Sequence, residues 1–248
     1  MAGRSHADAT QFTRAVFATT QWSVVLAARD LETPGSREAL EQLCRVYWPP
    51  IYAFLRREGH SPADAEDFTQ GFFSSLFERE SLASIRPERG RFRSFLLAAL
   101  RHYLADTRDR ARALKRGGGK PMVSLEAGDA EAFYALQVAS HESPERAFER
   151  QWAGTLLRRA QERLQAECGA AGKLALYEDL GPQRQGERDR SQAELAARHG
   201  MTENAVRLAA FRLRRRYQEL VRDEVRQTVA RAEEVDEEIR HLLRVLMP

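Results

Sequence analysis

The sequence predicts an all-α protein of two helical domains joined by a linker, the second ending in a helix-turn-helix. Three observations carry that expectation. Apolar residues recur at i, i+3, i+4 and i+7 through most of the chain, while the period-two alternation of Val, Ile and Thr that marks strands is missing. Ser61-Pro62 and Ser143-Pro144 each set a serine N-cap before a proline at the first helical position, a strong start signal. At roughly 100–200 residues per domain, a chain of 248 residues suits two.

Taken in order, a first helix over Gln21–Asp30 opens at Thr19 or Thr20 and stops before the Thr33-Pro34-Gly35 breaker. Ser36 caps the next, whose apolar face reads Leu40, Leu43, Cys44, Tyr47, Trp48, Ile51 and Leu55. Pro49-Pro50 should kink or split it, and Gly59 ends it. After Ser61-Pro62 a helix carries Phe68, Phe72, Phe73, Leu76 and Phe77 on one side and acids on the other. Pro87 and Gly90 break the chain before a long helix over Phe92–Arg116, with Phe92, Phe95, Leu96, Ala99, Leu100, Tyr103 and Leu104 inward. Gly117-Gly118-Gly119 terminates that helix.

From Gly117 to Glu142 the periodicity weakens into linker composition, with only Phe133, Tyr134 and Leu136 clustered. Ser143-Pro144-Glu145 opens a helix to Cys168, followed by a short piece at Leu174–Leu180 and a polar loop at Gly181–Arg190. Two helices separated by a tight turn come next, then a final amphipathic helix over Val225–Met247. The expected divisions are an N-terminal extension at 1–35, a first domain at 36–116, a linker at 117–142, a second domain at 143–222 and a C-terminal helix at 223–248.

Composition narrows the function. Hydrophobic residues make up 43% and charged residues 30% of the chain, enough apolar material for a folded core. No apolar run approaches the ~20 residues of a transmembrane helix, and Met1 leads into a polar start, so a cytoplasmic protein with no membrane role is expected. Cys44 and Cys168 stand far apart without histidines at ligand spacing, which argues for reduced thiols and no bound metal or other cofactor.

The net charge of +3 hides a segregation. Arg89–Arg116 carries +7, Arg207–Arg222 carries +5, and the remainder carries −9. Two basic blocks on an otherwise acidic chain suit two separate polyanion contacts, although an arginine-rich helix also serves simple solvation.

The sharpest motif lies in Ser191–Arg216. Ala196, Gly200 and Val206, with Leu195 and Met201 apolar, meet the needs of a helix-turn-helix: close helix approach, a positive-φ turn and a packed second helix. An ordinary αα-hairpin uses the same glycine turn. Thr202 is placed to cap the second helix, leaving Glu203, Asn204, Arg207, Arg212 and Arg214 outward as donors and acceptors suited to a major groove. Upstream, Asp64, Glu66 and Asp67 open one helix, where they complement its dipole. Arg101, Arg108, Arg110 and Arg112 follow on the next with aromatics interleaved, equipment that could also hold unstacked bases.

The order Asp64-Ala65-Glu66-Asp67-Phe68-Thr69-Gln70, then Phe92-Arg93-Ser94-Phe95-Leu96-Leu97, then Arg101-His102-Tyr103-Leu104-Ala105-Asp106 and an arginine run resembles a known family. With the helices from Ser143 to the helix-turn-helix, it is similar to the extracytoplasmic-function type sigma factors of bacterial RNA polymerase, which keep only the second and fourth sigma domains. The resemblance spans Ala39–Arg222. It implies a promoter-specificity factor that binds core RNA polymerase, directs initiation at −10 and −35 promoter elements, and works near the nucleoid. It also implies that Asp64, Glu66, Asp67 and Gln70 meet the β′ clamp helices of the polymerase, with the β flap as a further contact. Arg101, His102, Tyr103, Arg108, Arg110 and Arg112 would recognise and melt the −10 element. Thr202, Glu203, Asn204, Arg207 and Arg212 would read −35 duplex.

The chain departs from the family pattern in several places. Gly181–Arg190 is longer and more polar than the usual turn, Phe95 stands where tryptophan is common, and His102 stands where many members have asparagine. Both ends are extended. The apolar stripe Val225, Val229, Ala232, Ile239, Leu242, Leu243 and Leu246 is expected to pack on the fourth domain, or else to dock another protein. Packing within the chain would let it shield a binding surface in place of a separate anti-sigma protein.

Enzyme chemistry finds little support. Gly117-Gly118-Gly119-Lys120 lacks the first glycine and the Ser/Thr of a phosphate loop, since Leu114 and Pro121 stand there. His102 and Asp106 lack further ligands at matched spacing. A non-enzymatic DNA-binding protein is expected. The alternative to a sigma factor is a helix-turn-helix transcriptional regulator acting on duplex DNA without polymerase.

Overall fold

The computed structural model describes residues 36–78, 91–113, 142–182, 191–229 and 231–247. The helix expected over Gln21–Asp30, the linker 117–142 except Glu142, and most of the loop Gly181–Arg190 lie outside the described residues. Every regular element described is helical: α1 Ser36–Arg57, α2 Pro62–Glu78, α3 Phe92–Ala113, α4 Pro144–Ala170, α5 Leu174–Leu180, α6 Gln192–His199, α7 Glu203–Arg226, a 3₁₀ turn Ala232–Glu234 and α8 Val235–Leu246. None of the described helices is long and apolar enough to cross a membrane.

The serine–proline signals act as caps. Ser61 Oγ accepts from the Asp64 amide at 3.2 Å and donates to Asp64 Oδ2 at 2.6 Å, which fixes the start of α2. Ser143 Oγ accepts from the Arg146 amide at 3.3 Å at the start of α4. Gly59 takes φ +93° where the chain leaves α1.

Helix α1 runs through Pro49 and Pro50 and is not split. Each proline removes an amide donor and costs on the order of 3 kcal/mol inside a helix. Around them Tyr47, Trp48, Ile51, Tyr52, Phe54 and Leu55 are all buried. Burial of each such side chain contributes about 1.5–3 kcal/mol, so packing outweighs the loss.

The chain divides into two units, Met1–Ala153 with Arg226–Pro248, and Gly154–Val225. The division falls within α4 rather than between 142 and 143. The first turns of this 27-residue helix join the first unit, where Trp152 lies beside Arg93 and Glu149 beside His241.

In the first unit, aromatic rings from α1, α2 and α3 interlock. Tyr47 meets Phe92 edge-on at 5.2 Å, Trp48 stacks on Phe73 at 6.0 Å, and Phe72 meets Tyr103 edge-on at 5.8 Å. The second unit is centred on Ala160, Leu164, Cys168, Tyr177 and Leu220, joined by Leu213, Tyr217 and Val221. Glu224, almost wholly buried on α7, lies between Arg159 at 2.9 Å and Arg163 at 2.8 Å on α4.

The single C-terminal helix expected over Val225–Met247 is two elements. Helix α7 ends at Arg226, and α8 begins only at Val235. Val225, Val229, Val235 and Leu242 are all buried. On one unbroken helix the first pair would stand about 100° around the axis from the second. The break lets both pairs face inward, and it leaves Ala232 and Leu243 of the expected stripe exposed. Helix α8 belongs to the first unit, so the expected packing on the fourth domain is corrected.

Candidate nucleic-acid interface

In the second unit α6 and α7 are joined by Gly200-Met201-Thr202. Ser191 and Glu194 close a reciprocal cap on α6: Ser191 Oγ accepts from the Glu194 amide at 3.2 Å, and the Ser191 amide donates to Glu194 Oε2 at 2.7 Å. Gly200 ends α6 in the left-handed conformation, φ +61° and ψ 34°, and the Met201 amide reaches back to the Ala196 carbonyl at 2.9 Å. Leu195, Ala196 and Val206 form a small buried core with Leu180 and Met201 against it. Thr202 Oγ1 accepts from the Ala205 amide at 3.2 Å, so this predicted DNA contact is engaged as the cap of α7.

Glu203, Asn204, Arg207 and Arg212 are exposed. Among the described residues Arg207 and Arg212 have no carboxylate partner, and Arg214 bonds only to the Ala210 carbonyl at 3.3 Å. Further along α7 the arginines turn to acids. Arg216 donates to both oxygens of Glu167 at 2.8 and 2.7 Å, and Arg215 lies 3.4 Å from Glu219. The two hydrogen bonds from Arg216 hold the Glu167 carboxyl below the usual carboxylate range. Along α7, charge available to an outside anion is therefore concentrated in the first half of the helix.

Sequence reasoning overlooked two side chains on that face. Leu208 is 46% and Phe211 57% exposed. Both follow Asn204 at helical spacing, four and seven residues on, which places them on the same outward line. Large apolar groups left in water between arginines can meet thymine methyls in a major groove.

In the first unit the acids at the start of α2 divide by role. Asp64 is taken up by Ser61 as part of the helix cap. Asp67 is exposed and Glu66 half-buried, and neither has an ion-pair partner among the described residues. Gln70 is half-buried on the same helix.

Helix α3 differs from the expectation of an open basic face. Arg101 is paired with Glu145, whose carboxyl is lowered by its own backbone amide and by the Arg101 hydrogen bond. Arg108 donates to Glu58 at 3.2 Å. Tyr103, expected both on the inward stripe and among the −10 contacts, is half-buried: its ring meets Phe72 of α2 and its hydroxyl fills the space beside Gly71. His102 is exposed. The side chains of Arg110 and Arg112 lie outside the described residues, although both positions are on α3.

At the start of α3, Arg91 and Arg93 meet Glu238 of α8, which is wholly buried. The Arg93 guanidinium also lies 4.8 Å from the centre of the Trp152 ring. Burial pushes the Arg93 guanidinium below its ordinary value, against the opposing pull of Glu238. The Arg93–Glu238 pairing joins residues 145 apart, beyond the reach of any local pattern.

Compared with protein-family models, curated proteins and solved structures, the chain finds no match.

Proposed function

We propose that this protein is a promoter-specificity factor of the sigma type, a non-enzymatic subunit that binds core RNA polymerase and places it on promoter DNA. The observation that carries the reading is the α6–α7 pair. A glycine in the left-handed conformation sets the turn, and the outer face of α7 presents Asn204, Arg207 and Arg212, with neither arginine in an ion pair among the described residues. That arrangement suits a helix-turn-helix whose second helix enters a major groove, with the arginines reading guanine edges or phosphates. The order of the acidic α2 and basic α3 before this pair supports the polymerase-bound form of the reading. Asp67 and Glu66 offer negative charge to a basic partner.

One observation favours a second reading, a duplex-binding regulator that works without polymerase. Arg91, Arg93, Arg101 and Arg108 in and beside α3 are all paired with carboxylates of this chain, so among the described residues these four arginines are already engaged where melted DNA would need them. Footprinting on a promoter library with and without core polymerase separates the two. Protection of −35 and −10 segments only in the presence of polymerase supports the sigma reading. Unaided protection of a duplex operator, unchanged by polymerase, supports the regulator.

A further inference from the structure

Helix α8 sits on the basic start of α3. Glu238 Oε2 lies 2.9 Å from Arg91 Nε, Glu238 Oε1 meets Arg93, and Glu237 reaches Arg91 at 3.1 Å. Glu149 of α4 lies 3.9 Å from Arg93 and 3.3 Å from His241, one turn beyond Glu238. Arg101 is met by Glu145. At each described arginine from 91 to 101, therefore, an acid from α4 or α8 stands where a phosphate would stand. Val235, Leu242 and Val245 anchor α8 by burial. Glu238 is held between two cations, an arrangement that depends on both partners being kept, because a buried charge left unpaired is costly.

We infer that α8 is a built-in competitor for nucleic acid: its carboxylates occupy Arg91 and Arg93, so α8 and a single DNA strand exclude one another on α3. The inference rests on the reading that α3 meets DNA. It adds that the described arrangement is the closed one and that the C-terminal segment sets the strength of that contact. Binding and release are linked reciprocally, so whatever loosens α8 strengthens strand binding, and a bound strand loosens α8.

The test uses the full chain and a fluorescein-labelled, mixed-sequence single-stranded DNA followed by anisotropy over a range of salt. Glu238→Gln removes the buried charge, and Leu242→Ala loosens α8 without altering any charge. Circular dichroism checks that both remain helical. Both variants are expected to bind the strand about tenfold more tightly than the unaltered chain. Their salt dependence should steepen by about one in slope, as released arginines take up phosphates. In the unaltered chain, adding the strand should speed amide hydrogen exchange over Val235–Leu246.

Faster exchange over α8 in the variants with unchanged strand affinity overturns the inference and leaves DNA binding by α3 standing. Tightening by Glu238→Gln alone overturns it as well, since that is an effect of charge and not of displacement. No strand binding in any form, with α8 demonstrably released, removes the reading of α3 itself. Should neither variant fold, the exchange experiment on the unaltered chain decides, and unchanged protection of α8 at saturating strand overturns the inference.

Discussion

The hydroxyl of Tyr103 on α3 fills the space that a Cβ on Gly71 of α2 would need. Glycine at this position leaves room for the Tyr103 hydroxyl, and the Tyr103 ring completes the contact edge-on against Phe72 at 5.8 Å. Alanine inside a helix ordinarily gains about 1 kcal/mol over glycine. Here Gly71→Ala is expected to lose about 1–3 kcal/mol through overpacking. Adding Tyr103→Phe to Gly71→Ala should recover most of that loss in urea unfolding. A stabilised single variant would contradict the described contact.

Reading by α7 is expected to depend on Arg207 and Arg212. Arg207→Ala should weaken discrimination at one base pair by about 1–3 kcal/mol if the guanidinium reads a base edge. If it meets only phosphate, affinity falls evenly across sequences and the salt slope drops by about one. Competition binding against a set of single-base variants of the selected duplex distinguishes these results. Arg216→Ala should change little in either assay, because Glu167 already holds that side chain.

Charge reversal at Glu66 and Asp67 is expected to abolish capture of core polymerase while leaving the circular dichroism spectrum unchanged. Neither carboxylate is tied to the fold by an ion pair among the described residues. Asp64 makes the internal control. Its Oδ2 accepts from Ser61 at 2.6 Å in the first turn of α2, so Asp64→Ala should cost about 0.3–1 kcal/mol of stability. Pulldown and thermal unfolding, measured on the same variants, report the two effects separately.

Acid should weaken the second unit through Glu167. Arg216 depresses this carboxyl in the folded chain, so the pair contributes stability above the unfolded carboxylate value of about 4.3. The contribution is lost as pH falls through the lower, folded value. Both side chains are more than two-fifths exposed, which limits the pair to about 1 kcal/mol. Urea midpoints followed from neutral pH to below 4 should fall less steeply in Arg216→Gln than in the unaltered chain.

What the sequence made legible was local. Ser61-Pro62, Ser143-Pro144 and the Ala196–Gly200–Val206 spacing fix helix starts and one turn within a few residues of chain, and the described helices begin and turn there. The inward stripes of α1 to α3 follow because burial repeats with the helix period, as at Leu96, Leu100 and Leu104. Non-local chemistry was hidden. No Gly or Pro marks the break between Arg226 and Arg231, and only the burial of Val229 together with Val235 requires it. The pairing of Arg93 with Glu238 joins residues 145 apart. It turns a run of arginines that reads as an open basic face into one partly filled by the chain's own acids. The exposure of Phe211 escaped for the opposite reason, since an aromatic at helical spacing ordinarily signals core.

The most direct measurement is transcription by sigma-free core RNA polymerase on a pool of promoter fragments, with and without the purified chain. The account predicts transcripts starting at discrete sites only when the chain is present, and their loss with Glu66→Lys/Asp67→Lys or with Arg207→Ala. Initiation that is no more site-specific with the chain than without it, from protein that still binds duplex DNA, would contradict the account.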